Sequence, residues 1–402
     1  MAQAFDPAAA TAAYLAFLTP AQHARATAYT HGSEWLLLWT ALVSVLVAWI
    51  VIKSQVLVRV RDRVERVRPH PWRVVFAVVA VDTVLETLLN LPWDAYRHWW
   101  REKSYGLTSR AFGGWLEEQG LSLLVSLVMA LIMFSVLYWI IRRAPRTWWA
   151  WGAVGTVVGF IALVTVQPLV IEPLFNTFKP APPGPMRDEI VAMARQVGVP
   201  HDKIYIYNGS KQSNRYSANV SGMFGTARVA MSDVMFKKDA DLAEVRGVVG
   251  HEMGHYVLHH ILKSAVKYGL VALVGFFLVD RLFAPTVRLL GARGVTGIAD
   301  PAGLPVLGAL IAVILFVATP VTNAIIRQGE IEADRFSLEH FNEPDGLSKA
   351  LAKTIEYRAA SPGRLEELLF YHHPSVGRRI RTAMDWKASH PKAESSRSSP
   401  SP

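Results

Sequence analysis

The chain has 402 residues, of which 51% are hydrophobic and only 18% are charged, a balance that argues against a soluble protein and indicates a polytopic membrane protein. Because it contains no cysteine, disulfides and thiolate metal sites are excluded, and any metal must be held by nitrogen and oxygen atoms. The formal charge of +10 comes from Lys and Arg that cluster beside apolar runs, as in membrane-flanking segments, and no nucleic-acid-binding module is recognisable, so we expect no nucleic-acid partner.

The first part of the chain is predicted to be mainly transmembrane. Residues 1–34 form an Ala-rich N-terminal segment whose apolar patch is too short to span a bilayer. Residues 35–170 follow as an N-terminal transmembrane region with four predicted spans, at about 35–56, 74–93, 121–141 and 148–170. We expect the last two spans to form a hairpin, and residues 91–120 to be an amphipathic interfacial connection.

The second predicted span carries two acidic residues, Asp82 and Glu86, which lie one turn apart on the same helical face. Charged side chains are costly in lipid, so both are expected to face the protein interior or a water-filled cavity. Polar contacts between helices and the lining of a chamber are equally good interpretations of this pair.

A zinc metalloprotease domain is predicted over residues 171–385, starting at a Pro-rich stretch where the chain leaves the membrane. Helical periodicity covers residues 186–197, and strand composition covers 201–207 and 226–231. The polar stretch between these strands is extended in character and includes Ser217, Ala218, Asn219, Val220 and Gly222. An edge strand there could bind a substrate backbone by strand addition, although a simple hairpin packed on the next helix is slightly favoured.

The motif H-E-M-G-H at residues 251–255 is the strongest signal in the chain. Residues 239–248 favour a helix, with acidic residues near its start and no proline. On a helix, His251 and His255 lie on one face, one turn apart, where they can share a tetrahedral metal ion. In such a helix the histidines hold zinc, and Glu252 takes a proton from the zinc-bound water that attacks a peptide carbonyl.

A zinc hydrolase needs a third protein ligand and an open fourth position for water. Glu330 is predicted to be that ligand, and Asp334, four residues later on the same face, would accept the free ring N–H of one zinc histidine. Glu332 points away from that face and is expected to be an ordinary surface acid. The zinc helix is expected to run on through His259 and His260, as residues near the membrane surface rather than ligands.

The remainder of the chain completes the predicted architecture. Two further spans, at about 266–283 and 304–326, lie within the metalloprotease domain and bring the predicted number to six. The Ser- and Pro-rich residues 386–402 are predicted to form a disordered tail. The fold class is therefore mostly α, a polytopic membrane protein with an α+β metalloprotease domain.

Taken together, these motifs resemble the M48 family of integral-membrane zinc metalloproteases of the Ste24 type, also called CAAX prenyl protease 1. The resemblance covers about residues 35–385 and rests on residues 91–93, 102–106, 171–176, 209–211, 217–219, 251–255 and 330–334, and on His373-Pro374 with Arg379. It implies a ring of transmembrane helices around a large chamber, capped by a zincin-like domain. It also implies cleavage near the C-terminus of prenylated CAAX proteins.

The resemblance also assigns roles by position. It implies one Zn²⁺ per chain, bound by His251, His255 and Glu330, with Glu252 as the catalytic base. It further implies that the strand at residues 217–222 pairs with the substrate.

Two more residues enter the predicted active site through the resemblance. His373 and Arg379 would both lie there, with His373 a candidate for stabilising the oxyanion. Without the resemblance, a helix start with a solvated basic face is the simpler interpretation of these residues.

The chain departs from the family pattern in two places. It has one predicted span fewer than the eukaryotic members, and Val220 stands where many relatives carry an aromatic residue, so substrate preference stays open. The basic loops after the first and third spans favour a metal domain on the outer side of the membrane. Because long domains follow this rule poorly, we adopt the orientation that the resemblance implies, with the active site opening to the cytoplasmic side of a bacterial inner membrane.

The leading functional prediction is an integral-membrane zinc endopeptidase that acts on peptide or protein substrates, prenylated or not, in contact with membrane lipid. A general quality-control protease for membrane proteins is the alternative within the same class. A membrane transporter or scaffold with structural zinc is the alternative of another class. It is disfavoured because structural zinc sites are closed by four ligands, whereas this motif offers three ligands and a base.

Overall fold

The computed structural model describes residues 5–67, 70–223 and 225–390, which form a helical membrane region joined to a small α+β domain. Within these residues six helices are long and apolar enough to cross a membrane, in agreement with the predicted number of spans. They are Pro20–Ser54, Pro71–Ser104, Phe112–Arg143, Trp148–Phe175, His260–Leu290 and Pro301–Phe341.

The helices of the first half of the chain belong mostly to the membrane region. They are α1 (Pro7–Leu15), α2 (Pro20–Ser54), α3 (Val56–Val67), α4 (Pro71–Ala95), α5 (Arg101–Ser104), α6 (Phe112–Arg143) and α7 (Trp148–Val166). The second half contains α8 (Glu172–Phe175), α9 (Pro185–Val197), α10 (Asp233–Lys237), α11 (Leu242–Val257), α12 (His260–Leu290), α13 (Leu304–Phe341), α14 (Pro344–Lys353), α15 (Arg364–Phe370) and α16 (Val376–Ser389). Its strands are β1 (Phe178–Pro180), β2 (Ile204–Tyr207), β3 (Ala218–Ser221) and β4 (Arg228–Ser232).

At one end of the membrane region the spans pack around a continuous apolar cluster. Its largest buried members come from α4, α6, α7, α12 and α13, and include Val75, Val78, Tyr138, Ile141, Trp148, Phe283 and Leu307. Polar contacts anchor the same end: Trp148 Nε1 donates to Asp280 Oδ1 at 2.7 Å, and Arg61 of α3 pairs with Asp300. The helix α3, the end of α6 and the loops after α6 and α12 carry many basic residues at this end, among them Arg59, Arg63, Arg66, Arg142, Arg143, Arg146 and Arg293.

The amphipathic connection predicted over residues 91–120 is mostly helical in the structure. α4 continues through a π-helical turn, Tyr96–Trp100, into α5, and α6 already begins at Phe112. The π-helical turn contacts the loop that precedes α6: Trp99 Nε1 donates to the carbonyl of Arg110 at 3.1 Å. Amphipathic, aromatic sequence suits such packed helix ends as well as it suits an interfacial loop, so composition alone could not separate the two.

The α+β domain is built on a four-stranded sheet with the order β1-β2-β4-β3. β2 and β4 are parallel, whereas β1 and β3 pair antiparallel with their neighbours. The strands predicted at 201–207 and 226–231 are present as β2 and β4, and β3 lies at the sheet edge, with Val220 opposite Val229. The sheet and α11 share one apolar core, which includes Ile190, Met231, Val245, Val249 and Met253.

The two ends of the chain pack together against the α+β domain. α1 contributes to an apolar cluster with α14 and α16, and Tyr14 Oη donates to Asp345 Oδ1 at 2.9 Å. α16 runs through Ser389, so the first residues of the predicted tail are helical. The rest of that tail, from residue 391 onward, lies outside the described residues.

A cavity of about 970 Å³ lies between the membrane helices, lined by α2, α4, α6, α13 and residues 212–215. Asp82 and Glu86 both belong to its lining. Of the two interpretations of this acidic pair, the structure therefore favours the lining of a chamber.

Candidate active site

The motif H-E-M-G-H lies in the second half of α11. The side chain of Asp241 caps this helix by accepting a hydrogen bond from the backbone N–H of Glu244 at 2.8 Å. The predicted helical spacing then brings His251 and His255 to one face, where their Nε2 atoms are 3.1 Å apart. The two ring nitrogens thus lie close enough together to bind one shared metal ion.

Small residues allow α13 to approach this face closely. A Cβ atom at position 250 would lie 2.6 Å from the ring of Phe341, and one at position 254 would lie 3.2 Å from the Cα of Ala333. A larger residue at position 250 would therefore have to displace the side chains of Phe341 and Ser337 on α13. This close packing brings the Glu330 carboxylate within 3.3 Å of His251 Nε2 and 3.4 Å of His255 Nε2.

The three side chains fit a tetrahedral metal ion. With ligand bonds of about 2.0–2.1 Å, tetrahedral geometry separates ligand atoms by about 3.3 Å, close to the 3.1, 3.3 and 3.4 Å found among His251, His255 and Glu330. Glu330 is buried, so water does not compete for its carboxylate. Two nitrogens and one carboxylate, with no thiolate available, form a donor set that could hold a divalent metal ion.

Behind the histidine pair lies a buried ion pair. His251 Nδ1 is 2.8 Å from Asp334 Oδ1, and Arg379 binds both oxygens of Asp334 at 2.7 Å. All three side chains are buried, so the Arg379 charge balances the Asp334 charge away from water. The ring proton of His251 is thereby directed to Nδ1, which leaves the Nε2 lone pair free at the site.

Glu252 lies beside the histidines and close to the edge strand β3. Burial raises the pKa of Glu252, and a backbone hydrogen bond from Val220 opposes that rise. A carboxylate whose proton affinity is raised in this way is suited to general-base catalysis near neutral pH.

His373 also reaches the site, although it comes from a loop. α16 begins only at Val376, with the Ser375 side chain as its N-cap, so the His-Pro dipeptide precedes the helix. His373 Nε2 lies 3.1 Å from Glu330 Oε2, whereas its Nδ1 is buried and has no hydrogen-bond partner among the described residues. Burial lowers the pKa of His373 to about 3, so its ring is neutral at pH 7.

The end of α11 differs from its prediction. The helix ends at Val257 rather than running on through His259 and His260, and His259 has a left-handed backbone with φ of 54°. His260 is buried, with its Nδ1 2.9 Å from His255 Nδ1. Glu332, predicted to be an ordinary surface acid, lies 3.0 Å from His260 Nε2.

Sequence reasoning missed these two residues, although a signal was present. Each metal-binding histidine needs a partner for its second ring nitrogen, and only one such partner, Asp334, was assigned. His260 and Glu332 were assigned only to the surface, so they were available as partners for the second ring nitrogen of His255.

Comparison with known proteins bears on the identity of the site. Residues 180–387 match the family model described as peptidase family M48, and residues 7–177 match the one described as CAAX prenyl protease N-terminal, five membrane helices. The chain belongs to peptidase family M48. It is 29% identical over 376 residues to the uncharacterized metalloprotease YhfN of Bacillus subtilis (strain 168), which covers 91% of this chain and 86% of that protein.

Other M48 relatives agree with this assignment. The chain is 24% identical over 360 residues to the CAAX prenyl protease 1 homolog of Homo sapiens, covering 78% of this chain and 74% of the human protein. The crystal structure of S. mikatae Ste24p matches with a TM-score of 0.74 at 20% identity, covering 92% of this chain and 89% of that one. That likeness confirms the predicted fold class.

Family membership defines the class of activity. The chain is a multi-pass membrane metalloendopeptidase of the Ste24 type, and its substrates are peptides or proteins. The M48 family implies a metal ion, for which His251, His255 and Glu330 are a suitable cluster. A peptidase is thus favoured over a transporter or scaffold.

Proposed function

We propose that the chain is an integral-membrane zinc endopeptidase in which Glu252 is the general base. The observation that carries this proposal is the convergence of His251, His255 and Glu330 to within 3.4 Å of one another beside the half-buried Glu252. When bound by these three residues, zinc would polarise the scissile carbonyl and acidify the attacking water. Glu252 would take the proton of that water and pass it to the leaving amine.

The surrounding residues would support this chemistry in two ways. Arg379 acts as a positioning residue, because it holds Asp334, which in turn orients His251. His373 would stabilise the oxyanion by donating from Nε2, the ring nitrogen that lies beside Glu330. The neutral state of the buried ring provides one ring N–H for this purpose.

We propose that the edge strand β3 binds the substrate backbone. Ser232 N donates to the carbonyl of Ser217 at 2.9 Å, and in an antiparallel ladder such bonds recur at every second residue, so Asn219 also faces β4. The backbone groups of Ala218 and Val220 then point away from β4. Val220 bonds Glu252 on this side, and the same edge is where an extended peptide can add as a further strand. Gly222, with φ of 93°, ends the strand in a turn that favours glycine.

The substrate class follows less directly from the site. The similarity to CAAX prenyl proteases supports prenylated protein C-termini as substrates. The second candidate is general proteolysis of membrane-associated polypeptides, because Asp82, Glu86 and Arg97 add charged groups to a cavity lining that also contains apolar side chains of α2 and α13.

A cleavage assay in detergent with two peptides separates these candidates. One peptide carries a farnesylated CAAX end, and the other has the same sequence without the lipid. Zinc-dependent cleavage of the farnesylated peptide alone would support CAAX processing, whereas equal cleavage of both would support general proteolysis. Absence of metal-dependent cleavage of either would contradict the proposed activity.

We propose a bacterial inner membrane as the location, with the metal site on the cytoplasmic side. Similarity to a Bacillus subtilis protein supports the bacterial membrane, and the family resemblance supports the orientation. The basic connections at the opposite end of the membrane region support the reverse orientation.

Single cysteines decide the orientation without background, because the chain contains none. A cysteine at the exposed Arg143 and another at the exposed His201 mark the two ends. In intact cells, an impermeant thiol reagent is expected to label the first and not the second. Labelling of the second alone would place the metal site outside the cytoplasm.

A further inference from the structure

His255, the second of the two motif histidines, has its own series of side-chain contacts, separate from those of His251. Its Nδ1 lies 2.9 Å from His260 Nδ1, and His260 Nε2 lies 3.0 Å from Glu332 Oε2. His260 is buried, with only 7% of its surface exposed. These contacts are separate from the Asp334 and Arg379 pair, which contacts His251.

With His255 as a metal ligand, the distances allow only one consistent arrangement of ring protons. His255 Nε2 faces His251 Nε2 and Glu330, so this atom must present a lone pair if it is to bind a metal ion. The proton of His255 therefore resides on Nδ1 and is donated to His260 Nδ1. His260 must then carry its own proton on Nε2, where the carboxylate of Glu332 accepts it.

The break between α11 and α12 makes this contact possible. In a continuous helix, a residue five positions after His255 would be rotated by about 140° and would face away from it. The left-handed backbone of His259, with φ of 54° and ψ of 38°, instead turns His260 back toward the site. A non-glycine residue in this conformation is uncommon, which indicates that the surrounding structure stabilises it.

Glu332 is itself held in place by neighbouring side chains. It accepts a hydrogen bond from Gln328 Nε2 at 3.0 Å, and Lys263 Nζ lies 3.7 Å from its other oxygen. The carboxylate is therefore fixed on α13 while its partner His260 begins α12, so two membrane-spanning helices meet at the second metal-binding histidine.

We propose that His260 and Glu332 are positioning residues that hold His255 in its metal-binding tautomer and orientation. This inference rests on the proposed function, in which His255 is a zinc ligand. Partners of this kind raise metal affinity because the histidine pays less orientational entropy on binding, and their loss costs about 10- to 100-fold in affinity.

The test measures zinc affinity of the purified protein by competition with a chromophoric chelator, which needs no substrate. His260→Leu keeps similar volume but removes the acceptor, and is expected to weaken zinc binding by about 10- to 100-fold. His260→Asn places an oxygen close to the position of Nδ1 and is expected to restore most of the affinity. The absorption spectrum of the cobalt-substituted protein should change in His260→Leu and resemble wild type in His260→Asn.

Matched controls separate positioning from general damage. His201→Leu removes an exposed histidine of the same domain, and it is expected to bind zinc as wild type does. If His260→Leu cannot be isolated folded, Glu332→Ala decides, with weaker zinc binding expected and wild-type affinity overturning the proposal. At saturating zinc, the KM for peptide should be unchanged in these variants, because neither residue is placed at the substrate edge.

The outcomes also distinguish this inference from the proposed function. Wild-type zinc affinity in folded His260→Leu, with zinc bound by the unsubstituted chain, overturns the positioning role alone. Failure of the unsubstituted chain to bind zinc overturns both.

Discussion

Glu252→Gln is expected to lower peptide hydrolysis by about 10²–10⁴-fold, the usual contribution of a general base, while zinc content stays at the wild-type level. Glutamine keeps the shape of the side chain but cannot take a proton from the attacking water. The three proposed ligands are unaltered, so the metal should remain. Turnover of a quenched peptide and metal content by atomic absorption, measured on the same preparation, check both halves of this expectation.

Glu339→Gln is the matched control for this variant. Glu339 lies on α13, nine residues after Glu330, and is exposed. It should retain full activity, which shows that the loss in Glu252→Gln comes from the position and not from the loss of one negative charge. Full activity in Glu252→Gln itself would exclude Glu252 as the base.

Glu330→Ala is expected to remove the metal together with activity. It leaves only His251 and His255 as ligands, and the loss of affinity should exceed the roughly 10- to 100-fold effect of changing an outer partner. Zinc retained after dialysis against a weak chelator is the measurement. Unchanged zinc content would mean that another residue provides the third ligand.

Because Glu330 is buried, two further variants are needed to separate loss of the ligand from damage to the fold. Glu330→Gln keeps the volume of the side chain and should lose zinc while its thermal unfolding in the absence of metal stays close to that of wild type. Glu339→Ala, on the same helix, should keep both zinc and stability. Loss of zinc confined to the two Glu330 variants assigns the effect to the carboxylate.

The membrane spans and the zinc motif could be predicted from sequence because both depend on local patterns. Each span is a run of apolar residues long enough to cross the hydrocarbon layer, and the spacing of four in His251 and His255 follows from the helical repeat alone. Glu330 and Asp334 were predicted on the same principle, by their placement on one face of a second helix. The structure brings all four side chains together.

Local patterns were misleading where two elements meet. The composition of residues 91–120 predicted an amphipathic connection but not its conformation, and in the structure most of it is helical. The sequence around His259 has no glycine or proline to mark the end of α11, so a continuous helix was expected. At the break, His260 contacts His255 and also Glu332, which is 72 residues away in the sequence.

From the sequence alone came the class of protein, the number of spans and the metal-binding motif, since composition and periodicity carry that information without knowledge of the packing. The tertiary structure alone decided that His373 approaches Glu330, that Arg379 binds Asp334 and that His260 contacts His255. The first two pairs are separated by 43 and 45 residues, and the third by 5 residues across a helix break. No local repeat therefore relates the members of any pair. Their positions depend on how the helices pack, which only the folded chain determines.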